Sequence, residues 1–263
     1  MILFFIVPAY FKNKFSSQTV RHGESVEWNC EVNGEQTIDL QVSKDRMILD
    51  FVPINNNNND NNDNYSSKSN SASKILHSDN RYNLIRRLQN DHHVSYIIRI
   101  DQVDRRDSSL FTCVASNPYG KDEYNFQLIV QEPPEPPENL HALEIESRNA
   151  VIAWSQPYSG NSPIVAYHVE YRLWMDSSTS WSGVHQTSNR STIVEHNTAA
   201  MMSKSLLPGT IYRKTLPGTE TSINLRSLQP MSTYEIRVQA ENQIGFGSFQ
   251  LTPLKIMTKE EGE

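Results

Sequence analysis

The stretch Gly23-Glu-Ser-Val-Glu-Trp-Asn-Cys30 determines how this chain is expected to fold. In it Val26, Trp28 and Cys30 alternate with polar residues, so that an apolar side chain recurs at every second position. Successive side chains of a β-strand point to opposite faces of the sheet, whereas those of a helix repeat about every 3.6 residues. The stretch therefore predicts a strand with one buried face.

The same alternation recurs along the chain. Phe111, Cys113 and Ala115 form a second set of this kind, and its buried face can meet that of the first. Further alternating runs lie at 165–172 and 234–241, and turn-forming pairs such as Asn33-Gly34 separate several of the runs. The pattern predicts an all-β protein made of two β-sandwich domains in tandem.

Size and charge narrow the class of protein. The chain has 263 residues, enough for two ordinary domains, and a net charge of -6 with a pI of about 5.8. This acidity argues against a nucleic-acid partner or a polybasic membrane contact. No run reaches the roughly 18 apolar residues of a transmembrane helix.

Residues 1–7 are apolar but lack a basic region and a cleavage pattern. We expect them to form a first strand, with a degenerate signal peptide as the alternative, in an excerpt without its own signal peptide or anchor.

A proline-rich segment marks the boundary between the domains. Residues 132–138 contain four prolines within 133–137, a composition that favours extended polyproline II geometry. We expect a first domain over 8–131, a stiff linker over 132–138 that acts as an elbow, and a second domain over 139–259.

Two segments do not fit the strand pattern. Residues 54–74 form a tract rich in Asn and Ser, which we expect to be a disordered surface insertion, with a prion-like segment as the weaker alternative. The segment at about 182–216 is long for a strand connection, and we expect a second insertion there. Asn64 and Asn189 lie in these segments within Asn-x-Ser sequons and are candidate N-glycosylation sites.

The first domain resembles the intermediate-type (I-set) immunoglobulin family. The resemblance rests on Gly23, Val26 and Cys30, on Lys44-Asp45, on Ile98-x-Ile100-x-x-Val103-x-x-x-Asp107, and on Cys113-x-Ala115-x-Asn117-x-x-Gly120. It implies a Cys30–Cys113 disulfide across the core and an ion pair between Asp107 and Arg81. The alternatives are a reduced cysteine pair in a cytosolic protein and a solvated Arg81.

Two positions depart from the I-set pattern. Val42 stands where the family has its core tryptophan, and we predict that the Trp28 ring fills the vacant volume. Phe111 stands where the family has a tyrosine, so the corner hydrogen bond of that tyrosine is expected to be absent. Both changes are expected to lower stability. A disulfide between the two cysteines would close a loop of 83 positions. In the chain-entropy account this contributes about 4–5 kcal/mol to stability, which would offset the loss.

The second domain resembles a fibronectin type III repeat. The resemblance rests on Trp154, on Tyr167-x-Val169-x-Tyr171-Arg172, on Leu228-x-Pro230-x-x-x-Tyr234 and on Asn242-x-x-Gly245-x-Gly247. It implies a core built on Trp154, and a Tyr234 hydroxyl that bonds to the backbone of the turn holding Pro230.

Sequence signals for catalysis, metal ions and cofactors are missing. The chain has no His-Glu-x-x-His, Cys-x-x-Cys, Gly-x-Ser-x-Gly or phosphate-binding loop motif. His92 and His93 are adjacent, and adjacent strand residues point to opposite faces, so together they do not predict a metal site. We therefore expect that the chain is not an enzyme and that it binds no cofactor and no metal ion.

The order of the two domains carries a closer resemblance. Together with Arg105-Arg-Asp-Ser-Ser-Leu-Phe-Thr-Cys113 and Gly160-Asn-Ser-Pro-Ile164, it resembles the Down syndrome cell adhesion molecule (Dscam) family in an arthropod-type form. The resemblance implies a disulfide-bonded glycoprotein at the cell surface, on the extracellular side of a membrane that a segment missing here would cross. It also implies homophilic adhesion to other copies of the receptor in axon guidance, dendrite self-avoidance and neuronal recognition. Recognition would lie mainly in domains outside this chain, which leaves a spacer or elbow role here.

Two other functions remain open. One is an intracellular structural protein of muscle type, which also strings these two domain kinds together and would keep its cysteines reduced. The other is the ectodomain of a receptor phosphatase or kinase.

Overall fold

A computed structural model describes residues 6–51, 75–77, 80–90, 92–174, 194–195 and 210–262. The chain divides into two compact units, Met1–Gln131 and Glu132–Glu263. Within the described residues every regular element is a β-strand, apart from one short 3-10 helix at Arg105–Asp107. The predicted all-β fold with two tandem sandwiches is confirmed.

The first unit consists of two sheets. Its strands are β1 Tyr10–Phe11, β2 Phe15–Arg21, β3 Val26–Asn33, β4 Asp39–Lys44, β5 Met47–Asp50, β6 Ile75–His77, β7 Tyr82–Asn90, β8 His93–Ile100, β9 Ser109–Asn117 and β10 Gly120–Gln131. One sheet has the order β1-β3-β8-β7, and the other has the order β2-β10-β9-β4-β5-β6. The chain therefore changes sheets between β1 and β2, at residues 12–14.

The core of the first unit follows the alternation in the sequence. Val26, Trp28 and Cys30 of β3 are buried, and the polar residues between them are exposed. Phe111, Cys113 and Ala115 of β9 are buried in the same way from the other sheet. These two faces belong to one continuous apolar cluster. The residues whose alternation predicted the sandwich therefore form the core between its sheets.

The second unit also has two sheets. Its strands are β11 Glu138–Ile145, β12 Asn149–Ser155, β13 Ile164–Leu173, β14 Val194–Glu195, β15 Tyr212–Pro217, β16 Ser222–Arg226, β17 Thr233–Asn242 and β18 Leu254–Met257. One sheet has the order β11-β12-β16, and the other has the order β14-β15-β13-β17-β18. Aromatic side chains from both sheets fill the core, including Trp154, Tyr167, Tyr171 and Tyr234.

Two sequence-based expectations need correction. The second insertion cannot extend to residue 216, because β15 begins at Tyr212 and pairs with β13 in the sheet. Residues 6 and 7 of the expected first strand are not in a strand, and the first strand in the described part of the chain begins at Tyr10. Residues 1–5 lie outside that part. Residues 54–74 lie outside the described residues, as do Asn64, Asn189 and most of the segment 182–211.

Candidate functional sites: the two cores and the leading segments

The disulfide joins the two sheets of the first domain. Cys30 on β3 and Cys113 on β9 are bonded, with their Cα atoms 6.5 Å apart. Val42 on β4 lies beside Cys113 in the strand register and is buried. Both cysteines are therefore placed as the immunoglobulin resemblance implies.

Trp28 packs between aromatic rings of the opposite sheet. Its ring stacks on Phe126 with centroids 4.3 Å apart and lies at a tilt to Phe111 at 5.0 Å. Only 6% of Trp28 is exposed, and Phe111 is fully buried. Phe111 therefore contributes packing area but has no hydroxyl for a corner hydrogen bond.

Asp107 is the charged centre of the first domain. Its carboxylate is 1% exposed and accepts a hydrogen bond from Arg81 Nη1 at 2.8 Å and one from the backbone N–H of Asp104 at 2.8 Å. The Tyr82 hydroxyl donates a third hydrogen bond, and Lys44 Nζ lies 3.9 Å away. Burial lowers the pKa of Lys44, an effect that the Asp107 charge opposes.

Tyr234 ties a strand to the preceding turn in the second domain. Its hydroxyl accepts a hydrogen bond from the backbone N–H of Gln229 at 2.8 Å, next to Pro230. Burial raises the pKa of Tyr234. Trp154 packs edge-on against Tyr167 with centroids 5.4 Å apart, in the same core. Both residues occupy the structural positions that the fibronectin resemblance implies.

The segment that leads into each domain is held by one asparagine at the end of a strand. In the second domain Asn242 Nδ2 donates to the carbonyls of Glu132 at 2.7 Å and Ser159 at 2.8 Å. Its Oδ1 accepts from the N–H groups of Ile244 at 2.8 Å and Gly245 at 3.1 Å. Asn242 therefore links the first linker residue to two turns of the second domain.

Asn117 has the same arrangement in the first domain. Its Nδ2 donates to the carbonyls of Val7 and Glu35, both at 3.0 Å. Its Oδ1 accepts from the N–H groups of Tyr119 and Gly120, both at 3.0 Å. Each asparagine begins an Asn-x-x-Gly sequence, so the two domains hold their leading segments with one common motif.

Further contacts fix the proline segment, residues 132–137, to the second domain. The N–H of Glu132 donates to Gly160 O and that of Glu135 to Tyr158 O, both at 3.0 Å, and Gln250 Nε2 donates to Pro137 O at 2.8 Å. A Cβ on Gly160, whose φ is 69°, would come within 1.9 Å of Glu132 O. Glycine is required there because backbone lies directly against backbone.

A network of charges covers the outer face of the larger sheet of the second domain. Glu170 is 2% exposed and accepts hydrogen bonds from Arg213 Nε at 3.0 Å and Arg237 Nε at 2.9 Å. Glu235 pairs in the same way with Arg172 Nη2 at 2.8 Å. The face is polar but its charges are already paired with one another.

Two kinds of feature are absent from the described ranges. No three or more His, Cys, Asp or Glu side chains lie close enough together there to hold a metal ion. Those ranges also contain no helix with the length and hydropathy to cross a bilayer.

Comparison with known proteins assigns both domains. The family model of the immunoglobulin I-set domain matches residues 9–130, and that of the fibronectin type III domain matches residues 135–254. The chain is an I-set domain followed by a fibronectin type III domain. Asn117 thus stands near the end of the I-set match and Asn242 near the end of the fibronectin match.

Relatives that match this chain over nearly its whole length are cell adhesion molecules. Dscam1 of Drosophila melanogaster is 32% identical over 254 residues, which is 97% of this chain and 10% of that protein. DSCAML1 of Gallus gallus is 28% identical over 252 residues, 90% of this chain and 11% of that protein. DSCAM of Homo sapiens is 25% identical over 239 residues, 91% of this chain and 9% of that protein. The resemblance to the Dscam family is confirmed, and this chain spans about a tenth of the length of these relatives.

Among solved structures, domains A168–A170 of titin are similar to this chain. They share 18% sequence identity, cover 97% of this chain and 68% of their own, and give a TM-score of 0.37. This likeness is too low to bear on function.

Sequence reasoning found some of these residues and missed others. It named Trp28, Asp107, Phe111, Trp154 and Tyr234 with their surroundings. It gave no role to Lys44, Tyr82, Asn117 or Asn242, although it used three of these four positions to recognise the domain families. The signal for the asparagines was the Asn-x-x-Gly sequence, which occurs once in each domain at the end of an alternating strand.

Proposed function

We propose that this chain is an extracellular segment of a homophilic cell-surface adhesion receptor, and that within it the domain pair acts as a spacer. The adhesion role is supported by the relatives, which are cell adhesion molecules. The extracellular location is supported by the Cys30–Cys113 disulfide, because such bonds persist in oxidising compartments and are rare in the cytosol.

One observation carries the spacer role. The proline segment is bonded to Asn242, Gly160 and Gln250 and therefore belongs to the second domain. A spacer must transmit position along the receptor, and a linker bound along its length loses the freedom that a flexible tether would have. We assign no catalytic role to either domain, because the I-set and fibronectin domains of adhesion molecules act through binding and spacing.

The spacer role is tested by self-association. Sedimentation velocity of the purified chain is expected to show a monomer up to about 100 μM, since homophilic recognition would reside in other domains of the receptor. A dimer that forms at low micromolar concentration would contradict the spacer role and make this pair part of the recognition surface.

The cellular location is tested by the redox state of the cysteines. Non-reducing peptide mapping of the chain isolated from its natural source is expected to yield a Cys30–Cys113 cross-linked peptide. Free thiols at both positions would contradict the extracellular assignment and favour the intracellular muscle-type protein.

A further inference from the structure

A polar groove opens on the first domain where the chain changes sheets. It encloses about 100 Å³ between the crossover at residues 12–14 and the strand β3. Three side chains of β3 line it, Asn29, Glu31 and Asn33, and Phe15 of β2 lines it as well. β1 pairs with β3 at Val32 and Asn33, and no other described residue pairs with the remainder of this edge of β3 beside the groove.

The β3 side chains form an ordered row. Asn29, Glu31 and Asn33 are at alternate positions and so share one face of the strand, whereas Cys30 and Val32 point into the core. Alternate strand residues are about 7 Å apart, which gives a row of amide, carboxylate and amide about 13–14 Å long. This row is long enough to contact more than one ring of an extended ligand.

The polar side chains in the row lack partners in the part of the chain that the structure describes. Among the described residues, the side chains of Asn29, Glu31 and Asn33 make no hydrogen bond or ion pair, and neither does that of Asn13 in the crossover. Asn117 and Asn242, in contrast, use both side-chain atoms in four hydrogen bonds each. The groove asparagines are therefore available to a ligand.

The chemistry of the groove matches a neutral sugar. An amide offers both a donor and an acceptor, and a carboxylate accepts from two hydroxyls, which is the set that neighbouring sugar hydroxyls require. Phe15 is 60% exposed and offers an apolar ring to the C–H face of a sugar. A calcium ion fits less well, because among the described lining residues Glu31 is the only carboxylate and Lys12 is also there.

We propose that this groove is a binding site for a neutral oligosaccharide. The row on β3 binds the hydroxyls of the sugar rings, and Phe15 packs against one ring face. The lining residues include none of the proline segment, so the proposal does not rest on the spacer role. A groove of this size and openness is expected to bind weakly, with a dissociation constant on the order of 1 mM.

Titration of the isotope-labelled chain, followed by NMR, tests the proposal. The probes are the methyl glycosides of glucose, galactose, mannose and N-acetylglucosamine, together with their β-linked disaccharides. At least one probe is expected to shift the backbone signals of β3 and of residues 12–16. Glu31→Gln is expected to weaken that binding about tenfold, because it removes the charge from the hydrogen bonds. Phe15→Ser is expected to weaken it as well.

Glu27→Gln is the matched control. Glu27 is an exposed carboxylate on the same strand and the same face but does not line the groove. Its variant is expected to bind the sugar as the unchanged chain does. The proposal is overturned if no probe shifts these signals up to about 20 mM, well above the expected constant. It is also overturned if Glu31→Gln binds equally well, or if calcium shifts the signals and the sugars do not.

Discussion

Asn242 and Asn117 occupy matching positions in two domains of different families, and each binds the backbone of the segment that leads into its own domain. Asn242 donates to Glu132 O at 2.7 Å, and Asn117 donates to Val7 O at 3.0 Å. The Asn-x-x-Gly turn of each domain thus has a structural task beyond closing a hairpin. It makes the leading segment a part of the folded domain.

Asn242→Ala is expected to destabilise the second domain by about 2–4 kcal/mol, because Asn242 is 3% exposed and the variant loses its four hydrogen bonds to the backbone. Urea unfolding followed by NMR signals of the second domain measures the change. Asn224→Ala is the control, since Asn224 is exposed on β16 and has no side-chain hydrogen bond within the described residues. An equal loss of unfolding free energy in both variants would show that the hydrogen bonds of Asn242 do not stabilise the second domain.

Trp28→Ala is expected to destabilise the first domain by about 3–5 kcal/mol, the range for emptying a large buried aromatic site. The lost contacts are the stack on Phe126 and the tilted contact with Phe111. Trp28→Phe keeps part of this area and should cost less. Urea unfolding of the first domain gives both values, and a cost below about 1 kcal/mol for Trp28→Ala would contradict the packing described.

Asp107→Ala is expected to destabilise the first domain by about 3–5 kcal/mol, because it leaves Arg81 and Lys44 without their buried counter-charge. Asp101→Asn provides the comparison, since Asp101 pairs with Arg99 in an exposed position. Exposed ion pairs contribute less than about 1 kcal/mol. Thermal unfolding of both variants at neutral pH measures the difference, and similar losses would show that burial of the Asp107 pair has no energetic effect.

Tyr171 is expected to make the second domain sensitive to alkali. Burial raises the pKa of Tyr171 to about 12, and the nearby Tyr212 and Tyr234 add to this effect. The folded state therefore favours the neutral hydroxyl. Its stabilising effect is complete below pH 10, the unfolded pKa, and is lost as the pH rises towards 12, with a total near 2–3 kcal/mol.

Comparison with Tyr171→Phe isolates this contribution. The variant keeps the ring that packs on Tyr212 but has no proton to lose. The free energy of unfolding should therefore fall less steeply in the variant than in the unchanged chain between pH 10 and 12. Parallel curves would mean that the pKa of Tyr171 is the same in the folded and the unfolded state.

The strands and cores could be predicted because they depend on the alternation of apolar and polar residues within short stretches of sequence. The faces of β3 and β9 follow directly from the spacing of Trp28, Cys30 and Cys113. β15 was missed because Arg213-Lys-Thr interrupts its apolar pattern and Pro217-Gly218 indicates a turn. It becomes a strand through pairing with β13, a contact that the local sequence does not show.

The sites depended more on contacts between distant residues. The Arg81–Asp107 pair and the Tyr234 hydroxyl bond could be named because the family resemblance implied both. The binding of residues 132–137 to the second domain could not, since proline composition predicts a stiff linker but not the partner of its carbonyls. The carbonyl of Glu132 accepts from Asn242, 110 positions away, and that of Pro137 accepts from Gln250. The groove on β3 likewise depends on the crossover between β1 and β2.

The most direct test of the central claim is hydrogen exchange at the backbone amides of Glu132 and Glu135 in the intact chain. Both N–H groups donate to carbonyls of the second domain, Gly160 O and Tyr158 O. Exchange should be slowed at least about a hundredfold relative to an unstructured peptide, and Asn242→Ala should remove much of this protection. Exchange at the rate of an unstructured peptide would show that the proline segment is a free linker and would contradict the account.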